Sequence, residues 1–260
     1  MNKHVLMLII FLFVLAGCQG QTGNSNIRPN STSSEYIKPD KKAAELNIQL
    51  GLNYMQRGDY ETALGKLEKA LKQDSSSSTA HNTIAILYQR LNESGKAEYH
   101  YKQAVRLAPN YSEAQNNYGA FLCTQGRYDE SVPRFLAALK NPLYRSKGQA
   151  YENAGLCTKL IPDEIQAEQY LRQALQINPR LGKSLLAMAE ISYEQGEYLT
   201  SRAYIERYRN AARWTPKALL QAVKTERQIG DKDAVASYSN LLRGSFPDSE
   251  ESKQVQSDLY

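Results

Sequence analysis

Residues 78–111 read STAHNTIAILYQRLNESGKAEYHYKQAVRLAPNY, and the spacing inside this stretch decides the fold. Ala85, the eighth residue, is followed by Tyr88 and then, twelve positions after itself, by Ala97. From Ala97 the chain steps four, three and five residues to Tyr101, Ala104 and Pro109. The physical sense of the pattern is close packing. Small side chains at the eighth and twentieth positions let two antiparallel helices approach, and a large residue between the helices fills the groove this leaves. The closing proline ends the second helix.

The same spacing recurs on both sides. In residues 44–77, Gly51 is followed by Tyr54, Ala63, Leu67 and Ala70, with Ser75 where the proline would stand. Residues 112–145 give Gly119, Ser131, Phe135 and Ala138, with Pro142 one place early. A two-residue insertion around 144–147 shifts the frame to 148–181, where Gly155, Ala167, Leu171, Ala174 and Pro179 restore it. Residues 182–215 carry Ala189, Ser201 and Ile205 but place Tyr208 in a small-residue slot. Residues 216–249 place Leu242 there and end at Pro247. The turns inside the units show as Gly58-Asp59, Gly126-Arg127, Gly196-Glu197 and Gly230-Asp231, and Pro162-Asp163 supplies equivalent punctuation in the fourth unit.

A near-constant 34-residue period held in phase over six units resembles the tetratricopeptide repeat. The resemblance implies an all-α, right-handed superhelix of six helix-turn-helix units spanning 41–252, followed by a C-terminal tail at 253–260. Stacked first helices line the concave side of such a superhelix, so positions 2, 5, 9, 12 and 13 of each unit are expected to look inward. The residues so predicted to form a protein-binding groove are Ile48, Leu52, Met55, Asn82, Ile86, Gln89, Asn116, Ala120, Glu152, Leu156 and Lys159. This groove is apolar with polar edges, which suits a peptide or helix. Asn82, Asn116, Asn117 and Asn153 could offer amides to a bound backbone or satisfy one another within the scaffold.

The N-terminus predicts a different fate for residues 1–17. Lys3 precedes an apolar run from Val5 to Val14, too short for a permanent membrane span, and Leu15-Ala16-Gly17-Cys18 follows at once. This order resembles a bacterial lipoprotein signal, implying cleavage before Cys18 and its acylation. Gln19, in place of an aspartate, implies carriage to the outer membrane, with the protein facing the periplasm. Residues 18–40, rich in Gly, Ser, Asn, Thr and Pro, are expected to form a flexible tether.

Removing residues 1–17 leaves 31 Lys and Arg against 27 acids, a mild charge of +4 with no dense basic block, so nucleic acid is not an expected partner. No Gly-rich phosphate loop, metal-ligand spacing or catalytic constellation appears. The expectation is therefore a protein without cofactor, metal, small-molecule substrate or enzymatic activity. His81 occupies a slot where the repeat family commonly has an aromatic and is expected to pack; His100 is expected to face solvent. Cys123 and Cys157 fall on neighbouring first helices, in a compartment that permits disulfides. A bridge stapling the insertion and a pair of buried free thiols are both compatible with that placement.

The stretches from Asn116 (NNYGAFLCTQGRYDESVPRFLAALKNPLY) and Tyr151 (YENAGLCTKL), together with the lipobox, six repeats and the mid-array cysteines, resemble the type IV pilus biogenesis and stability lipoproteins of the PilF/PilW type. That resemblance implies a pilotin, which binds outer-membrane secretin subunits and promotes their localisation and multimerisation. The repeats alone imply only a polypeptide partner, leaving open a periplasmic scaffold for outer-membrane protein assembly or cell-wall enzymes.

Overall fold

A computed structural model of the protein describes residues 39–257 except residue 162. The predicted signal peptide at 1–17, the lipidation site Cys18, the tether up to residue 38 and Pro162 of the fourth turn lie outside the described residues. Among the described residues there are thirteen helices and no strand. Six antiparallel pairs follow in order: α1 (Lys41–Gln56) with α2 (Tyr60–Gln73), α3 (Ser78–Arg90) with α4 (Ser94–Leu107), and α5 (Ser112–Thr124) with α6 (Tyr128–Leu139). Then come α7 (Lys147–Thr158) with α8 (Glu164–Ile177), α9 (Gly182–Glu194) with α10 (Tyr198–Ala211), and α11 (Pro216–Ile229) with α12 (Lys232–Ser245), before a final α13 (Glu250–Ser257).

The first five pairs nest where the sequence lacks bulk, whereas the sixth has Val223 and Val235 at its eighth and twentieth positions. A Cβ on Gly51 would stand 2.7 Å from Leu67, one on Gly119 2.8 Å from Phe135, and one on Gly155 2.7 Å from Leu171. The twentieth positions, Ala63, Ala97, Ser131, Ala167 and Ser201, are completely buried. Where that residue is serine its hydroxyl needs a partner in the dry interface. Ser131 donates to the Gly119 carbonyl and Ser201 to the Ala189 carbonyl, each at 2.8 Å, so twentieth and eighth positions are joined by hydrogen bond as well as by contact.

The turns follow from chain stereochemistry. Gly58, Gly126, Gly196 and Gly230 adopt φ between +74° and +85°, the left-handed region that a Cβ disfavours. In the second unit Asn92 fills the role at φ 59°. Helix starts are capped by side chains: Asp40, Asp59, Ser77, Asp163, Thr215 and Asp231 each accept from the backbone N–H three residues on.

Two irregularities in the repeat pattern have local causes. Tyr208 fits a small-residue slot because its hydroxyl donates to the Arg213 carbonyl at 2.8 Å and Trp214 packs on its ring. Its neighbour Gly182 has no side chain, and a Cβ there would meet Ala212 at 2.8 Å. The insertion after α6 is pinned by Tyr144, buried between Ala138 and Ala150.

The C-terminus departs from expectation. Residues predicted to end the repeat domain at 252 and to continue as a tail from 253 instead form α13. Val255, fully buried against Leu219, Val223 and Leu242, covers apolar surface that the sixth unit would otherwise leave in water. Ser252 fixes the helix by donating to the Phe246 carbonyl at 2.7 Å.

The close helix approach yields a direct test. Gly155→Val should lower unfolding stability by about 2–3 kcal/mol through overpacking against Leu171, and Leu171→Ala in the same chain should recover part of that loss. Urea titrations of the two single variants and the double variant would measure the coupling.

Candidate functional site

Within a unit the first helix packs on its partner; between units, first helices lie side by side. That second contact decides which predicted groove residues remain available. Fifth-position residues Ile48, Asn82, Asn116 and Glu152 are all buried, as is twelfth-position Met55. Ile48 and Met55 belong to the apolar cluster of the first unit, with Leu67 and Ile84. These five are scaffold, contrary to the expectation that they line an open groove. In the first four units the fifth position lies on the flank that the next first helix covers, whereas Leu186, at the fifth position of the fifth unit, stays partly exposed.

The polar members of this set form a ladder. Asn117 donates to the Asn82 side-chain oxygen at 3.2 Å, and one repeat later Asn153 donates to Asn116 at 3.0 Å. At the next junction Glu152 takes over: its carboxylate accepts from the Ser184 N–H at 3.0 Å and hydroxyl at 2.8 Å, in the first turn of α9. An acid there also meets the positive end of the helix dipole. The asparagine amides named as candidate ligand contacts are therefore engaged with one another.

Further links tie successive units. Arg127 pairs with Glu98 at 2.7 Å, and Lys102 also holds Glu98 at 2.9 Å. The lysine, then the arginine, draw the Glu98 carboxyl below its ordinary pKa. Arg202 binds the buried Glu226 carboxylate. Cys123 and Cys157, on α5 and α7, are joined in a disulfide with Cα atoms 5.9 Å apart, bridging the units that flank the insertion.

His100 is half-buried rather than solvent-facing. Its Nδ1 lies 2.9 Å from Nδ1 of the buried His81, and Tyr88 and Tyr99 pack on its ring. Burial, then the neighbouring His81, pushes the His100 pKa down to about 4; burial lowers His81 as well. The pair is apolar packing with one internal hydrogen bond. No group of three or more His, Cys, Asp or Glu placed to hold a metal ion occurs among the described residues.

The remaining predicted groove residues stay near the surface. Leu52 is 39 % exposed, and Ile86 and Ala120 are half-buried. Half-buried Gln89 accepts from the Tyr101 hydroxyl at 2.8 Å. Leu156 and Lys159 open into a cleft of about 750 Å³ shared by α7, α9 and the start of α11.

The floor of this cleft is Leu156, Leu186 and Ala187, edged by Leu160 and Ile161, and its charged members are Lys159, Glu164, Lys183, Glu190, Glu194 and Lys217. Glu190 sits between two ammonium groups, Lys159 at 2.5 Å and Lys217 at 2.7 Å. Lys183, Leu186, Glu190, Glu194 and Lys217 occupy second, fifth, ninth, thirteenth and second positions of the last two units. The positional rule that named Leu156 and Lys159 reaches them too. A pocket of this size, apolar below and polar at its edges, can hold a few side chains of a bound polypeptide.

Stacked helix pairs with a cleft on their first-helix face define a tetratricopeptide superhelix built to bind protein. The tetratricopeptide-repeat family matches residues 42–110 and, in a second variant, residues 100–132. The type IV pilus assembly protein PilF of Pseudomonas aeruginosa is 33 % identical over 225 residues, covering 85 % of this chain and 89 % of that protein. A solved structure of P. aeruginosa PilF superposes with a TM-score of 0.79 over 84 % of this chain and 98 % of that one. The crystal structure of PilW, described as a widely conserved type IV pilus biogenesis factor, gives 0.75 at 30 % identity, covering 82 % and 98 %. The chain belongs to the PilF/PilW family of type IV pilus biogenesis proteins with tetratricopeptide repeats.

Two measurements bear on this scaffold. Closing a loop of 34 residues, the disulfide should contribute about 3–4 kcal/mol. Reduction, or Cys157→Ala, should lower the denaturation midpoint accordingly, and thiol labelling of the denatured, unreduced protein should find neither Cys123 nor Cys157. The histidines set a pH dependence, because the folded state resists their protonation. Stability present above about pH 6.5 should be lost as pH falls toward 4. His100→Gln should remove about 1–2 kcal/mol of that loss at pH 5, read from melting curves across the range.

Proposed function

We infer that the protein is a non-enzymatic pilotin, a lipid-anchored outer-membrane protein that binds secretin subunits on the periplasmic side and promotes their localisation and multimerisation for type IV pilus biogenesis. The observation that carries this reading is the match to PilF, at 33 % identity across nearly the whole length of both chains. The cleft over α7, α9 and α11 gives the reading a physical basis, since it offers apolar floor and charged edges to a polypeptide.

Three parts divide the work. Cys18, at the end of the predicted signal, carries the lipid; several acyl chains hold a protein at a bilayer because each buried methylene contributes about 0.8 kcal/mol. Residues 18–40 give the repeat domain reach from the membrane. The repeats then hold the secretin subunit, and the apolar surface buried in that contact keeps the subunit from associating elsewhere before assembly.

The test is genetic and biochemical. Deleting the gene should abolish heat-resistant secretin multimers and surface pili, and restoring the wild-type chain should return both. Cys18→Ser should restore binding to secretin subunits in extracts while leaving the multimers away from the outer membrane. Normal multimers and pili in the deletion strain would refute the reading.

A further inference from the structure

We propose that the cleft over α7, α9 and α11 takes an extended segment of about five residues of the partner polypeptide, with a carboxylate at one end, a large aliphatic side chain in the middle and a cation at the other end. The inference rests on the protein-binding reading above and adds the chemistry of the bound segment.

The cleft is charged in sequence along α9. Its lining residues on that helix are Lys183, Leu186, Ala187, Glu190 and Glu194, at intervals that keep them on one face. Lys183 lies in the first turn and Glu194 in the last; both are exposed, and neither forms an ion pair among the described residues. Eleven residues of helix separate them by roughly 16 Å at about 1.5 Å per residue. An extended chain covers that distance in about five residues.

Between these ends the groups already have partial employment. Lys159 and Lys217 already balance the charge of Glu190, so it does not demand a further cation from the occupant. Each ammonium has three donors. Lys217, whose side chain is 66 % exposed, keeps donors free for the peptide carbonyls that an extended segment leaves unpaired. Leu156 from α7 and Leu186 and Ala187 from α9 provide the apolar seat for the central side chain.

The exposed donors favour an extended occupant over a helix. A helix would need about eleven residues to reach from Lys183 to Glu194 and would pair its own backbone carbonyls. An extended segment leaves those carbonyls free to accept from the exposed Lys217.

The test is a specificity switch read with three fluorescein-labelled heptapeptides on the full-length protein. All carry Leu in the centre; one has Glu and Arg at opposite ends, one has Glu at both ends and one has Arg at both. Wild type should bind the mixed peptide at least tenfold more tightly than the other two. Lys183→Glu, which makes both ends of the cleft acidic, should prefer the peptide with two Arg. Glu194→Lys should prefer the one with two Glu. Both side chains are exposed, so the variants are expected to keep the wild-type circular dichroism spectrum and melting temperature.

Binding of none of the peptides to wild type, or one order of preference shared by all three proteins, would overturn the inference. A parallel capture of the secretin's periplasmic region separates this failure from that of the pilotin reading. Secretin held equally by wild type and Lys183→Glu, with no peptide switch, removes the cleft chemistry alone. A clear peptide switch with no secretin held removes the pilotin reading alone.

Discussion

The structure depends on one steric condition, that two helix backbones touch where the eighth residue of a unit has almost no side chain. Leu67, Phe135 and Leu171 occupy the space that a Cβ on Gly51, Gly119 or Gly155 would claim. Everything else in a unit follows from that approach. In five of the six units the second helix reverses direction through a left-handed turn residue, and in the first five the twentieth residue is small because it lies in the same contact. Such packing is local, so each unit relies on its neighbours for burial, and stability accumulates along the array.

Neighbouring units are joined by a different combination of polar links at the second, third and fourth seams. The second and third share an amide pair and the Arg127 to Glu98 ion pair; the third and fourth share an amide pair and the disulfide. At the fourth seam a carboxylate, Glu152, replaces the amide and caps the following helix. Buried polar contacts of this kind are directional, so they specify the stacking register in a way that alanine and leucine alone do not. The array is chemically distinct at these three junctions although its backbone repeats.

Much of this was legible in the sequence, and the part that was not has a physical reason. A period of 34 with small residues in phase encodes the helix pairs, because sterics act within one unit and leave a trace at fixed spacing. The turn glycines are visible for the same reason. Availability of a groove residue is set between units. Nothing in the spacing of Asn82, Asn116 or Ile48 says that the next first helix covers them, whereas Leu156 and Lys159 line the cleft. Helix α13 was missed because one buried valine in a short polar stretch carries no periodic signal. His100 was misread since its partner, His81, stands nineteen residues away on the other helix of its unit.

Helix α13 also gives the array a finish. A stack of identical modules ends in a surface shaped to receive another module, and copies could add end to end without limit. Val255 occupies that surface, and Lys253, Gln254 and Gln256 face the solvent in its place. Apolar surface that a further unit would bury is thereby buried by the chain's own short helix.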